Sequence, residues 1–308
     1  MSNPMHDDQL NVSLPTIELL VREQFPELTG PIRLLPGSGT VNAIARVGDG
    51  VTARFPLRLE PADEVQSFLE AEQAALAELA EVSPFPTPRP RGIGRPGHGY
   101  PLPWSLQGWL EGEDGWRADD LGWGTSSKPM AEDLPRLILA LRAADTRGRV
   151  FTGTGRGGHL RDHEAWMQVC LTETAALVDA ATLADLRRLW EQFRELPRSS
   201  SPDVMSHQDL IPGNILVGLR EGHPRLVGVL DGGGFGPTDP ALDLVSAWHL
   251  LESGPRQRLR EALGCEDLEW ERGRGWAFQQ AMGLYWYYRT SNPPMSLLGE
   301  RTLRRLLA

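Results

Sequence analysis

The densest run of reactive side chains is Ser206-His207-Gln208-Asp209-Leu210-Ile211-Pro212-Gly213-Asn214, followed by Val229-Leu230-Asp231-Gly232. A carboxylate, an amide five positions on and a second carboxylate suit phosphoryl transfer from a nucleoside triphosphate. That transition state is loose and spreads charge over its oxygens, so a protein mainly positions groups and supplies cations. One carboxylate must take the proton of the attacking hydroxyl. Two oxygen donors must hold Mg²⁺, which keeps several waters and accepts few protein ligands.

Convergence of these groups needs a loop and a hairpin. Val204-Met205 leads into the polar loop, and 214–219 and 226–230 read as two apolar strands. Asp209 then lies in the loop, Asn214 closes it, and Asp231 ends the returning strand. Around this interlude the chain is helical: 131–146, 161–180 and 182–196 all space apolar residues by three and four, and helices follow at about 239–252, 256–264, 268–290 and 296–307. The first hundred residues differ. A short helix at 15–28 precedes Gly37-Ser38-Gly39-Thr40. Strand-like runs at 41–47 and 51–59 follow, joined by Gly48-Asp49-Gly50, a hairpin signal. Residues 62–81 form a strong helix, with Asp63 and Glu64 suiting its dipole. Four prolines between 84 and 90 leave extended or turn structure, and 102–110 reads as a strand. The pattern predicts an α+β chain: a small antiparallel β lobe with one main helix, then a larger helical lobe holding a buried hairpin.

Composition narrows the function classes. The 308 residues carry 31 basic and 41 acidic side chains, a net charge of −10, which argues against a nucleic-acid binder or a polybasic membrane-surface protein. Lys128 is the one lysine and follows Ser127, so no Walker-A Gly-Lys exists and the P-loop class is excluded. Cys170 and Cys265 are too few for a disulfide framework. No stretch approaches the ~18 apolar residues of a membrane span, and residues 1–11 lack the apolar run of a signal peptide. A cytoplasmic protein is expected; the oligomeric state is not legible.

His-x-Asp-(x)₄-Asn with a following strand ending in Asp-Gly resembles the catalytic and metal-binding loops of the protein-kinase-like fold. The fuller run from His207 to Val217, with Asp239-Pro-Ala-Leu-Asp243-Leu, is similar to the aminoglycoside phosphotransferase family in particular. The resemblance extends weakly from about residue 30 to 290. It implies a bilobal protein-kinase-like fold, with a nucleotide-clamping lobe over 1–107 and a catalytic and acceptor-binding lobe over 108–308. It implies an ATP- or GTP-dependent O-phosphotransferase, with a small-molecule hydroxyl acceptor such as an aminoglycoside or a related sugar-bearing compound. Asp209 would be the base, and Asn214 and Asp231 the Mg²⁺ ligands. His207 would hold the loop, Asp243 would be an acceptor at its base, and Asp239 would cap the next helix. Where the family usually has glycine, this chain has Gln208. Ser38, Gly39 and Thr40 look like the phosphate-covering loop. Arg54 takes the place of the strand lysine, with Glu72 as its partner and Glu70 second. Gln107 and Trp109 stand in the segment that resembles the purine-binding hinge.

Two other classes remain open on sequence: a catalytically silent nucleotide-binding module, suggested by the missing lysine and Gln208, and a hydrolase using Ser206 or His207, for which no G-x-S-x-G elbow exists. Gly92-Ile-Gly94-Arg-Pro-Gly97 and Gly153-Thr-Gly155-Arg-Gly-Gly158 match G-x-G-x-x-G without the strand-to-helix context and read as loops. His159 and His163 read as surface residues at a helix start. Trp104, Trp109, Trp116 and Trp123 cluster near the linker, mainly as core or interface side chains. Acidic residues between 111 and 120 could attract a polycation or simply be solvated. Trp276, Tyr285, Trp286, Tyr287 and Tyr288 fall on the long helix near the C-terminus, part core and part candidate acceptor wall.

Overall fold

A computed structural model describes residues 10–35, 41–121, 128–153, 155–198 and 200–308. Ser38, Gly39, Thr40 and Trp123 lie outside the described residues. The chain divides into two compact units, one of residues 1–81 and 86–111, the other of 82–85 and 112–308.

The first unit is a five-stranded antiparallel sheet in the order β1-β2-β3-β5-β4, with β1 at Ile32–Leu34, β2 at Asn42–Val47, β3 at Val51–Pro56, β4 at Pro90–Gly94 and β5 at Trp104–Gly108. Helix α1 (Leu14–Gln24) is capped by Ser13, whose hydroxyl accepts from the Thr16 N–H; helix α2 is Ala62–Val82. The 48–50 turn pairs Val47 with Val51, as its glycines predict. Alternation along β3 buries Ala53 and Phe55, with Phe55 stacked on Trp104 at 4.8 Å, and puts Arg54 on the opposite face. Gly92 and Gly94 belong to β4, so the first glycine motif is partly strand, not a loop.

The second unit carries β6 (Glu113–Asp114), α3 (Gly115–Asp120), α4 (Lys128–Arg142), α5 (Glu164–Thr174), α6 (Ala180–Arg194), β7 (Val204–Ser206), β8 (Ile215–Arg220), β9 (His223–Val229), β10 (Gly236–Thr238), α7 (Val245–Leu250), α8 (Ser253–Leu263), α9 (Asp267–Tyr287) and α10 (Pro293–Leu307). Strands β6-β8-β9 form one small antiparallel sheet and β10-β7 another. The β8–β9 hairpin pairs Ile215 with Val229, which brings the ends carrying Asn214 and Asp231 alongside each other; the Leu230 N–H donates to the Asn214 carbonyl at 2.8 Å. Asp133 of α4, almost fully buried, holds β9 by accepting from the Leu226 N–H at 3.0 Å and from Nε and Nη2 of Arg225. No helix among the described residues is long and apolar enough to cross a membrane.

Candidate active site

The loop from β7 to β8 is fixed from below by one carboxylate. Asp243 Oδ2 accepts from the His207 N–H at 3.0 Å and Oδ1 from the Gln208 N–H at 2.8 Å. His207 is buried; its Nε2 lies 2.8 Å from the Leu230 carbonyl and its Nδ1 accepts from the Asp209 N–H at 3.4 Å. The ring therefore ties the loop to the end of β9. Gln208 sits at φ +73°, a left-handed conformation that an L side chain adopts at a cost. Its side chain points away along the loop and donates from Nε2 to the Gly234 carbonyl at 2.6 Å. The residue that stands in place of a glycine thus links the Asp209 loop to the turn that follows Asp231. Gly115, at the start of α3, lies so close to Pro212 that a Cβ there would meet the Pro212 carbonyl at 2.7 Å.

Asp209 is held by side chains from three places. Asn214 Nδ2 donates to its Oδ2 at 3.0 Å and to its carbonyl at 2.8 Å. Gln280 Nε2, on α9, donates to Oδ1 at 2.8 Å, and Arg156 Nη2 reaches the same oxygen at 3.1 Å. Burial pushes the Asp209 carboxyl pKa up. The Arg156 charge, the Gln280 amide and His207 together outweigh that and leave it lowered. The side chain is still about a third exposed, at 31%, so an acceptor can reach it. Arg156 and Gln280 were not singled out by sequence. Arg156 lies inside the second glycine motif, and a glutamine in an aromatic-rich helix carries no signal of its own.

Asn214 spends its Nδ2 on Asp209, which leaves its Oδ1 as the remaining ligating atom. Asp231 is exposed, at φ +57°, and starts the Gly232–Gly234 turn. These are oxygen donors only, the chemistry that Mg²⁺ prefers. Among the described residues no cluster of three or more His, Cys, Asp or Glu side chains could hold a metal alone; an amide and a carboxylate suit an ion that retains waters.

Two expectations are corrected. Asp239 does not cap a helix that begins at once. Its Oδ1 accepts from the Ala241 N–H at 2.9 Å ahead of a 3₁₀ turn at Leu242–Leu244, and its Oδ2 is the counterion of fully buried Arg272, at 2.6 Å. His159 is exposed and His163 stands at the start of α5, but His163 is half-buried: its ring meets Trp276 edge-on at 5.3 Å and lies 3.4 Å from Gln279 Nε2. Ser206 is buried and accepts from the Gln208 N–H at 3.2 Å, while both His207 nitrogens engage the backbone. Neither is placed as a nucleophile and its base would be.

In the first unit, Arg54 Nη2 lies 3.6 Å from Glu72 Oε1, and both side chains are about nine-tenths buried. Glu72 falls on the stripe Leu69, Leu76 and Leu79 of α2, where a carboxylate needs a cation. Glu70 instead accepts from Gln66 on the exposed face. Gln107 is buried in β5 between Thr52 and Pro90. The backbone N–H groups of Gly108 and Trp109 go to the Arg89 and Gly50 carbonyls at 2.8 and 2.9 Å. The Trp109 indole carries the Arg46 guanidinium over its face at 4.4 Å and donates to Glu111 at 3.0 Å.

Residues 33–276 match the model of the phosphotransferase enzyme family (APH). Solved structures agree in fold. The GDP complex of wild-type aminoglycoside 2'-phosphotransferase-IIIa superposes with a TM-score of 0.71 at 17% identity, over 96% of this chain and 99% of that one. Macrolide 2'-phosphotransferase type I does so with a TM-score of 0.60 at 18% identity, over 95% and 98%. The apoenzyme of macrolide 2'-phosphotransferase MphH from Brachybacterium faecium gives 0.57 at 20% identity, over 94% and 97%. No curated protein matches the chain. With four-fifths of its length inside the family model and a bilobal α+β, protein-kinase-like fold, the chain belongs to the phosphotransferase enzyme family and is a phosphotransferase acting on hydroxyl groups.

Proposed function

We propose that the protein moves the γ-phosphoryl group of ATP or GTP, with Mg²⁺, to a hydroxyl of an aminoglycoside-like or related sugar-bearing compound, antibiotics among the candidates. The observation that carries this reading is the Asp209 carboxylate, oriented by three donors yet open to solvent. Asp209 is the base that aligns the acceptor hydroxyl and takes its proton. Asn214 Oδ1 and the Asp231 carboxylate hold Mg²⁺. When bound, the ion neutralises charge on the phosphate oxygens and orients them.

Arg54, held by Glu72, is the phosphate-binding cation of the first unit, standing where lysine is usual. Its planar fork can grip two oxygens where an ammonium offers a point charge. Ser38, Gly39 and Thr40 are proposed to cover the phosphates. Gln107 and Trp109 border the purine. The Gly108 and Trp109 N–H groups are already spent on backbone carbonyls, so recognition there falls to carbonyls and side chains. Similar solved structures include a complex with GDP and kanamycin and one with ADP, which supports a purine nucleotide and a sugar-bearing acceptor without choosing among them.

The test is ADP and GDP release by the purified protein with Mg·ATP or Mg·GTP, screened against aminoglycosides, macrolides, choline-like amines and simple sugars. An acceptor-dependent rise that Asp209→Asn lowers by about 10² or more, with nucleotide affinity retained, is expected. Wild-type turnover by Asp209→Asn would refute the assignment. Nucleotide binding with no turnover on any acceptor would favour the silent module.

A further inference from the structure

The Gln280 amide that touches Asp209 is the first link of a chain that runs into the helical core. Its Nε2 lies 2.8 Å from Asp209 Oδ1, and its Oε1 lies 3.0 Å from His249 Nε2. The other ring nitrogen of His249, Nδ1, lies 2.9 Å from Thr302 Oγ1 on α10. His249 and Thr302 are buried, and α10 reaches this depth beside α9 through Gly299, where a Cβ would meet the Tyr285 N at 2.6 Å.

Donor counting fixes every proton in the chain. An ionised carboxylate only accepts, so Gln280 must turn its NH₂ toward Asp209. The amide oxygen at the other end only accepts, so the proton on His249 belongs on Nε2. Nδ1 is then bare and accepts from the Thr302 hydroxyl. The assignment follows from the network, as hydrogen positions must. Flipping the Gln280 amide would set two oxygens 2.8 Å apart at Asp209, a clash that no choice of His249 tautomer relieves. Two further contacts hold the histidine in place: Arg305 Nη1 donates to the Trp248 and His249 carbonyls at 2.9 and 3.0 Å. Burial pushes the His249 pKa down to about 4, so the ring is neutral at neutral pH, as the chain requires.

We propose that Gln280 is a positioning residue for the Asp209 base and that His249, backed by Thr302, holds the Gln280 amide in the one orientation that serves it. This inference rests on the reading of Asp209 as the base. Arg156 and Asn214 also hold the carboxylate, but Arg156 is about a third exposed, and Asn214 reaches the other oxygen, Oδ2, from the same loop. Gln280 is the donor whose orientation is set from the core. An acceptor arriving at Asp209 can therefore displace the arginine without freeing the carboxylate to rotate.

Two measurements on the full chain test this. In the first, with neither nucleotide nor acceptor, long-range ¹⁵N–¹H correlation of the histidine rings is expected to give His249 as a single Nε2–H tautomer. An Nδ1–H tautomer or a mixture overturns the wiring. The second is ADP release from Mg·ATP with water as the accepting hydroxyl. Gln280→Met is expected to lower kcat about tenfold to a hundredfold with the KM for ATP unchanged, the loss of one hydrogen bond to a charged group, and His249→Leu, which frees the Gln280 amide to turn, to lower it in the same way by up to that amount. The double variant should be no worse than the poorer single, since both break one chain. His249→Gln, which restores a donor near the Nε2 position, should recover most of the loss. Unchanged kcat in Gln280→Met, additive losses, or no recovery in His249→Gln overturns the positioning role. If His249→Leu does not fold, the tautomer and Gln280→Met decide. A wild-type protein with the Nε2–H tautomer that releases no ADP with water or with any acceptor of the screen tells against Asp209 as the base and leaves the wiring standing.

Discussion

Asp243 carries more of the site than its distance from the chemistry suggests, and removing it gives a prediction whose size can be worked out. Its two oxygens take the backbone N–H groups of His207 and Gln208 at 3.0 and 2.8 Å. A hydrogen bond to a charged group contributes about 1.5–3 kcal/mol, and a buried donor left without a partner costs about 1–3 kcal/mol. In Asp243→Ala the His207 N–H is stranded in a buried position. The Gln208 N–H keeps the Ser206 hydroxyl at 3.2 Å and lies nearer solvent, so its loss is smaller. The sum is roughly 3–5 kcal/mol. Asp243→Asn keeps one acceptor but turns an NH₂ toward the other N–H, for about 2–3 kcal/mol. Gln208, already strained at φ +73°, then loses the contact that holds it there, so Asp209 loses its setting along with the stability. The assay is urea unfolding at constant m-value, alongside ADP release from Mg·ATP. A cost below about 1 kcal/mol in both variants would refute the clamp, because no arrangement of these donors escapes that penalty.

Three further outcomes follow from the same geometry. Arg272 is fully buried and spends its guanidinium on Asp239 and on the carbonyls of Leu196, Pro197 and Gly158; Arg272→Met or Asp239→Leu alone should cost about 3–5 kcal/mol in urea unfolding, and the double variant distinctly less than the sum, because each single change strands a buried charge. Gln208→Gly removes a left-handed strain of roughly 1–2 kcal/mol and also the bond to Gly234; unfolding should show near-neutral stability while ADP-release turnover falls, since the tie between the Asp209 loop and the Asp231 turn is gone. His249 takes up a proton at 6.5 when unfolded but only at about 4 when folded; its neighbours Asp209 and Gln280 favour the charge, and burial with Arg156 and Arg305 disfavours it. The unfolded chain binds more protons between those values, so stability is full above pH 6.5 and falls as pH drops toward 4, by roughly 3 kcal/mol in all. Urea midpoints across that range should flatten in His249→Gln relative to wild type.

What the sequence discloses and what it withholds divide along the range of the interaction. The β8–β9 hairpin, helix α2 and α9 follow from periodicity and turn residues, which act between neighbours. Glu72 rests on the resemblance instead, with Glu70 as the second choice; the fold separates the two, because Glu72 lies on the buried Leu69–Leu76–Leu79 stripe beside Arg54 while Glu70 faces outward. Short edge strands such as β1 and β10, three residues each, have too few positions for alternation to register. Asp before a helix usually caps it, which is all that the local sequence offers for Asp239, whereas its buried partner Arg272 lies 33 residues away on α9. The donors that set Asp209 are farther still. Arg156 comes from 53 positions upstream out of a glycine run, and Gln280 from 71 positions downstream on a helix whose neighbours are mostly aromatic. A catalytic loop's own residues are therefore visible as a motif, because the chemistry demands them at fixed spacing. The residues that orient it can come from any element that packs nearby, and only the fold says which. The unusual Gln208 belongs to both groups: its left-handed backbone is dictated by the loop, and the use found for its side chain is dictated by the Gly234 carbonyl across from it.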